Sequence, residues 1–579
     1  MNTSCCFKIL FVVVLANFNA ISTFSANIIL VCGITALMAE EPIEPGDIAK
    51  NRARSTVAKD SPQPVVITGG ALRYLADDFG NTVPDFSMVG YRNGGVALPV
   101  APVSVTLKPM PASEDDSNRI QAAIDIVAKM PELGPDGVKG AVLLSRGSYR
   151  CGKTLTIPAG VTLRGEGQDA DGTVITATMR SQKEGSGPTL IIMKGGNKLQ
   201  AGKTEHDILD EKVPIGAKQM KVAGAAAFKP GDHVLVERKA TKAWIHDLKM
   251  DQIKNLRSEG KQWSPEDYTL RWQSRVVSVK DDIVSLDTPV VCALERCYGG
   301  GVLLKCSTES QDRAAAVERL RLDSIYQVGK ENSDEDHAWI AINVAGLVDS
   351  WVRDVTALHF ALSCVSVSKS SSRITVQDCA MIDPISKIIG GRRYSFVGSG
   401  QYVLFQRCYT RNGRHDFANG ACDVGPSVYL DCVAEKTHAD IGPHHRWSCG
   451  QLYDNVKGGQ MRVQDRGSMG TGHGWAGNSQ VFWNCSSSAL VCQKAWIPSA
   501  QNWAIGCVGV KAVPSYPGRP EGYWQGFGQH VVPRSLYLAQ LKERFDRDGG
   551  KGDEAIQAVT TPEQRQGQIW EQLTLRFKF

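Results

Sequence analysis

Histidine is scarce in this chain, with 11 in 579 residues. Long apolar runs are scarce as well. "ILFVVVLANF" and "NIILVCGITALMA" both lie before residue 40, and neither reaches the ~18–20 continuous apolar residues of a membrane span. No other stretch is apolar enough to span. The dense basic runs of a nucleic-acid binder are missing too. The net charge of +5 is spread along the chain, which excludes nucleic acid as a partner while permitting an acidic one. There are 16 cysteines, yet no CxxC pair, so the usual spacing of a structural zinc site is absent.

With 42% hydrophobic and 22% charged residues the chain reads as globular. Its length suits several domains or one elongated repeat domain. Lys8 precedes the first apolar run, the second ends at Ala39, and polar "EEPIEPGD" follows at once. This predicts a signal peptide over 1–39 and a flexible leader over 40–62. The expected product is secreted or periplasmic, monomeric and without a membrane span once the signal is removed. Export also favours disulfides.

"EDDSNRIQAAIDIVAKM" predicts a helix that Asp115 or Asp116 can cap, with Ile120, Ile124 and Val127 on one face. "AVLLSRGSYRCGKTLTIPAGVTLRGEG" then alternates short β-rich runs with Gly and Pro turns. Short strands continue over 170–300, with a helical insertion near "AWIHDLKMDQIKNLRSEG".

From 317 onward a ladder emerges. "VRDV", "VQDC", "FQRC", "YLDC", "LYDN", "FWNC" and "AIGC" end at Val355, Cys379, Cys408, Cys432, Asn455, Cys485 and Cys507. Three residues earlier stand Val352, Val376, Phe405, Tyr429, Leu452, Phe482 and Ala504. Such short β-branched units, punctuated by Gly, Asn and Asp, predict the coils of a parallel β-helix stacked ~4.8 Å apart. The cysteines are then small inward-facing residues of a stacked core, with disulfides between rungs as the alternative. "PRSLYLAQLKERFDRDGG" and "TPEQRQGQIWEQLTLRFKF" predict amphipathic helices, the second started at Thr561-Pro562. The expected domains are a β-helix over 63–533 and a helical tail over 534–579.

"DDSNRIQAAIDIVAKM…GAVLLSRGSYRCGKTLTIPAGVTLRGEG" resembles the opening of pectate-lyase-superfamily proteins. The resemblance implies an all-β solenoid, a right-handed parallel β-helix with an N-terminal capping helix, over roughly 110–510. That superfamily includes polysaccharide lyases, glycoside hydrolases and non-enzymatic adhesins, so the fold leaves the reaction open.

Five of the eleven histidines fall between 415 and 473, three of them in "THADIGPHHRW". His415 lies seven residues after Cys408 and His438 six after Cys432, so they are expected to face each other on consecutive rungs. Arg414, His415, His438, Arg446, Arg466 and His473 would form a cationic strip. Eliminative cleavage of a uronic-acid polymer needs a cation on the carboxylate, a base for the α-proton and an acid for the leaving oxygen. Arginine and histidine supply these. The expected catalytic set is His415 or His438 as base, Arg446 and Arg414 on the carboxylate, and His444 as acid or substrate ligand. Arg393 of "GGRRY", Arg466, His473 and a sugar-stacking Trp475 complete the binding residues. One of His444 and His445 is expected to be structural.

Three other readings compete. Hydrolysis needs two carboxyl groups, for which Asp416, Asp440 and Asp465 are at hand, and "GHG" at 472–474 resembles a piece of the polygalacturonase signature. A non-catalytic carbohydrate-binding β-helix is the second. The third is zinc on His438, Asp440, His444 and His445, but the Gly- and Pro-rich loop gives no regular ligand spacing, so no metal is assigned. Calcium is the one cofactor left open, at "SDEDH" (333–337), where a solvated acidic turn is the preferred explanation.

Overall fold

The computed structural model describes residues 64–578, apart from 69–70, 112–113, 182, 197–198 and 308–310. The expected signal peptide and leader lie outside the described residues.

The core is a parallel β-helix. One inward position can be followed through eleven successive strand pairings: Val105, Val142, Leu163, Val317, Val352, Val376, Phe405, Tyr429, Tyr453, Phe482, Ala504 and Trp524. Stacking like on like is what a parallel ladder with in-register coils produces. It sets Phe405, Tyr429 and Tyr453 ring over ring, with centroids 4.9 Å apart at each step.

From Val352 to Ala504, three residues after each such position the chain turns inward again, at Val355, Cys379, Cys408, Cys432, Val456, Cys485 and Cys507, all fully buried. Asn455 does not belong to this set. Tyr453, not Leu452, pairs with Tyr429, so the inward residue of that coil is Val456. A shift of one residue exchanges the inside and outside of a strand. Asn455 instead occupies the corner just before it. These corners are left-handed throughout: Asp354, Asp378, Arg407, Asp431, Asn455 and Asn484 have φ between 50° and 55°. Asp and Asn tolerate that region best among side-chain-bearing residues, which explains their recurrence.

The corner side chains also dock the tail. Arg534 pairs with Asp431 at 2.7 Å, and Arg576 reaches Asp378 at 3.1 Å and Asp354 at 3.2 Å. Asn484 Nδ2 donates to the Val531 and Pro533 carbonyls. At the other end helix α1 (Ser117–Ala128) buries Ile120, Ala123, Ile124 and Val127 on the first coils. Its first turn is closed by Asp115, whose Oδ1 accepts from Ser117 N at 2.9 Å.

The chain leaves the solenoid after the strand Thr189–Lys194 and returns at Ala316–Ser324. Between them lies an antiparallel sheet built on His233–Arg238, Leu270–Lys280 and Val302–Ser307. The predicted helix there is short, α2 (Lys242–Asp247). Trp244, Trp263 and Trp272 form its core together with Trp447 and Trp475 of the solenoid. The tail is α3 (Leu536–Arg547), α4 (Gly552–Val559), α5 (Pro562–Gln566) and α6 (Trp570–Arg576). Ser535 and Thr561 cap α3 and α5 through their side chains. Among the described residues no helix is long and apolar enough to cross a membrane.

All thirteen described cysteines carry free thiols, ten of them buried. Burial pushes the thiols of Cys379, Cys408 and Cys485 well up, so they react poorly. Alkylation of the native protein, mapped by peptide mass spectrometry, is expected to modify exposed Cys297 and to spare the ladder until denaturant is added. Ladder cysteines labelled in the native state would contradict this packing.

Candidate active site

Consecutive rungs build the histidine cluster. The strands Phe396–Gly398, Phe417–Asn419 and Asp440–Pro443 pair in parallel, with Phe396 opposite Phe417 and Ala418 opposite Gly442. Tyr394 and His415 each stand two residues before such a strand, so their rings meet edge to face at 4.8 Å. His444 follows the third strand and lies 4.2 Å from the His415 ring. Arg466 N donates to Gly474 O, closing a loop that folds His473 back to 4.9 Å from His445 and 5.1 Å from His444. Gly470 in that loop has φ 55°, and a side chain there would collide with the His473 ring.

The cluster has two layers. The lower one is buried. His415 is 1% exposed and its Nδ1 lies 2.8 Å from the Asp440 carbonyl. A carbonyl only accepts, so Nδ1 carries the proton and Nε2 keeps a lone pair; that Nε2 is buried without a partner. Arg466 Nη1 bonds Asp440 Oδ2 at 2.9 Å and faces His444 Nδ1 at 3.4 Å. A guanidinium only donates, so His444 Nδ1 is the acceptor and Nε2 bears the proton. That Nε2 lies 3.1 Å from Tyr394 Oη. The Tyr394 oxygen thus accepts from His444 and its own proton is free to go elsewhere.

The upper layer is half-buried: Tyr394, Arg414, His445, Arg446 and His473. Both His445 and His473 have a buried Nδ1 without a partner, as does Arg466 Nε below them. Unsatisfied buried polar atoms are uncommon, and four of them, with His415 Nε2, share this patch.

Burial dominates the titration. It pushes His415 down to about 3, helped by Arg414 and Arg466. His445 falls to about 4 through burial first and Arg446 and Arg466 next, and His473 to about 2 through burial first, then His445 and Arg466. Burial pushes the Asp440 carboxyl up, but Arg466 and His415 outweigh it and hold it at about 2. Burial raises the Tyr394 hydroxyl against the pull of Arg414 and Arg466. At neutral pH the cluster is therefore neutral imidazoles, a protonated phenol, one carboxylate and fixed guanidinium charge.

The expected residues separate. His415, His444, Arg466 and His473 come together, with Arg414 and Arg446 at the rim. His438 does not join them. Six residues after Cys408 stands Arg414, the counterpart of His438, and His438 N donates to Gly413 O at 3.0 Å. The one-residue difference in spacing turns His438 outward; it is exposed beside Arg393 and Arg414. Arg446 donates to the Thr471 carbonyl at 3.1 Å and to its hydroxyl. Arg393 is 3% exposed, and its guanidinium is enclosed by Ser386, Asn332 and the Glu331 carbonyl, so it holds the loop. Trp475 is 1% exposed and donates to Leu248 O, so its ring fastens the inserted sheet and offers no face to a sugar. Of the pair His444 and His445, the first has both nitrogens engaged and the second does not. Tyr394 escaped the sequence reading because the arginines of "GGRRY" drew the attention. Its place two residues before a strand, as for His415, was the available signal.

The carboxylates are committed elsewhere. Asp416 points inward, accepts from Ser395 and Thr410, and is pushed up to about 6 by burial. Asp465 is held by Arg519 and Gly467 N. His415, Asp440 and His444 bring ligand atoms within 4.8 Å of one another. A metal there would have to displace Arg466 from both Asp440 and His444. In "SDEDH", Asp334 accepts from Gln327 N and Asp336 N, and Glu335 pairs with Arg392 at 2.7 Å.

No protein-family model and no curated protein sequence matches the chain. Three solved structures show weak likeness. The tailspike protein gp49 of Pseudomonas phage LKA1 is 13% identical, with a TM-score of 0.40, over 68% of this chain and 56% of its own. A tailspike of E. coli bacteriophage HK620, in complex with a pentasaccharide, is 11% identical, with a TM-score of 0.36, over 73% and 63%. A protein titled glycoside hydrolase is 8% identical, with a TM-score of 0.26, over 74% and 98%. The chain thus spans less than two thirds of either of these two tailspikes. Likeness at this level assigns no residue and no reaction here.

Proposed function

We propose that this chain is an exported carbohydrate-active enzyme of the pectate-lyase-like type that cleaves an acidic polysaccharide by β-elimination. One observation carries the reading: among the described residues, the groups this face presents are imidazole, phenol and guanidinium, while Asp416 is sealed inward, with Oδ1 held by Ser395 and Thr410 and Oδ2 unpartnered, and Asp440 and Asp465 are paired with Arg466 and Arg519. Hydrolysis needs two available carboxyl groups; elimination does not. Tyr394 is the acid that meets the leaving glycosidic oxygen. Its proton is free because His444 already donates to its oxygen. The base comes from the half-buried pair His445 and His473, which stay neutral at working pH. Arg414, half-buried near Tyr394, receives the uronate carboxylate. His415 and Asp440 position the lower layer.

The test is a screen of uronan and sulfated polysaccharides for products that absorb in the ultraviolet through a new C=C bond. Absorbing products are expected from at least one of them. Cleavage without absorbance would move the glycoside-hydrolase alternative ahead, and binding without any product would identify a non-catalytic carbohydrate-binding β-helix.

A further inference from the structure

A second cavity shares no residue with the cluster. Where the inserted sheet meets the solenoid and the N-terminal segment there is a cavity of ≈ 420 Å³, lined in part by Arg92, His233, Arg275, Arg313 and Arg373. Its acids are Asp287 and Asp349. Asp349 is taken up by Arg373 at 2.7 Å and by the backbone N–H of Arg92. Asp287 accepts from Ser274 Oγ and from the backbone N–H of Arg275. Arg92 itself is paired with Asp136. Two guanidinium groups are left over. Arg275 makes one bond, from Nε to the Gly231 carbonyl at 3.4 Å, and Arg313 has no side-chain partner among the described residues. An adjoining open cleft of ≈ 650 Å³ shares Arg275 and Asp287 and adds Lys218, Arg544 and Arg547.

We propose that this cavity is an anion-binding site for a sugar-sized ligand bearing a carboxylate, sulfate or phosphate group. Arg275 and Arg313, exposed on the wall of this concave site and little paired among the described residues, offer planar forks that match an oxyanion's geometry. The volume lies within the ~300–1,000 Å³ of small-molecule sites, which leaves room for a ring beside the anion. The open cleft lets a longer acidic chain run on past Arg275. None of these residues belongs to the histidine cluster, so the site stands whether or not that cluster is catalytic.

Calorimetric titration of the full chain with glucuronate, glucose 6-sulfate, inorganic phosphate and uncharged glucose tests it. At least one anionic sugar is expected to bind, with affinity falling as salt shortens the Debye length to ~8 Å, and glucose is not. Arg313→Ala and Arg275→Ala should each weaken that binding at least tenfold. Arg146→Ala, an exposed residue paired with Asp171 elsewhere, should leave it unchanged. The backbone carbonyl of Arg313 accepts from Gly160 N, a bond that alanine keeps, and circular dichroism checks that each variant folds as the parent does. Absence of binding by every anion, or parental affinity in both variants, overturns the proposal. Phosphate binding as tightly as the anionic sugars overturns the sugar-sized ligand.

Discussion

Tyr394→Phe is expected to lower kcat on the acidic polysaccharide by ~10²- to 10⁴-fold, the range a positioned acid contributes, with little change in KM. The variant keeps the ring, and therefore the edge-to-face contact with His415 at 4.8 Å and the neighbouring His444 ring at 5.3 Å. It removes only the oxygen that accepts from His444 Nε2. Circular dichroism and the unfolding midpoint should stay near those of the parent. His444→Gln tests the next link. An amide donor in place of the imidazole should leave part of the activity and shift the alkaline limb of the kcat profile, where the phenol loses its proton, because His444 sets the hydrogen bond on the phenol without touching substrate. Arg414→Ala should raise KM more than it lowers kcat, since its charge holds the substrate. Turnover of Tyr394→Phe within a few-fold of the parent would make the phenol structural and leave His445 and His473 as the only acid and base on this face.

The solenoid was legible because its repeat is written in residue types. Inward Val, Phe, Tyr and Cys recur at fixed offsets, and polar corners recur beside them. The single slip, Asn455 for Val456, arose because "LYDN" places two ring-bearing or branched residues before the corner. Only pairing of Tyr429 with Tyr453 decides which faces in. Charge clustering was legible in part, since the rungs bring 415, 466 and 473 together, while His444 joins them and His438 of the expected strip does not. Orientation was not. His415 and His438 differ by one residue in their distance from the ladder cysteine, and one residue is enough to point one ring into the cluster and the other into solvent. Trp475 read as a candidate sugar platform because the sheet that covers it is written some two hundred residues earlier. Its alternating strands, such as Leu270–Lys280 with Trp272 and Ser274 buried and Arg271 and Arg275 outward, carry no mark of where they dock.

The acid sensitivity of the cluster follows from the same burial. His415 has a folded value of about 3 against ~6.5 for an unfolded histidine. Between those values the unfolded chain binds a proton that the folded one does not, so stability rises with pH across that window. It is complete above ~6.5 and is lost as pH falls toward 3, at ~1.4 kcal/mol per pH unit for one proton. His444, held well below its ordinary value by burial and by its charged neighbours, acts in the same sense. Buried carboxyls act in the opposite sense. Asp454 and Asp416 are raised by burial to about 7 and about 6, so the folded chain holds protons there that the unfolded one releases, and acid favours folding between ~3.9 and those values. The parent's pH dependence is the difference between the two sets, which is why a variant is needed to isolate one group. His415→Gln keeps an N–H for the Asp440 carbonyl and removes the titration. Urea unfolding at pH 6.5, 5 and 4 is expected to show the parent losing ~3 kcal/mol more than the variant over that range. Parallel curves for the two proteins would mean that the His415 ring exchanges protons as freely folded as unfolded. The sealed lower layer, and with it the fixed tautomer of His415, would then be wrong.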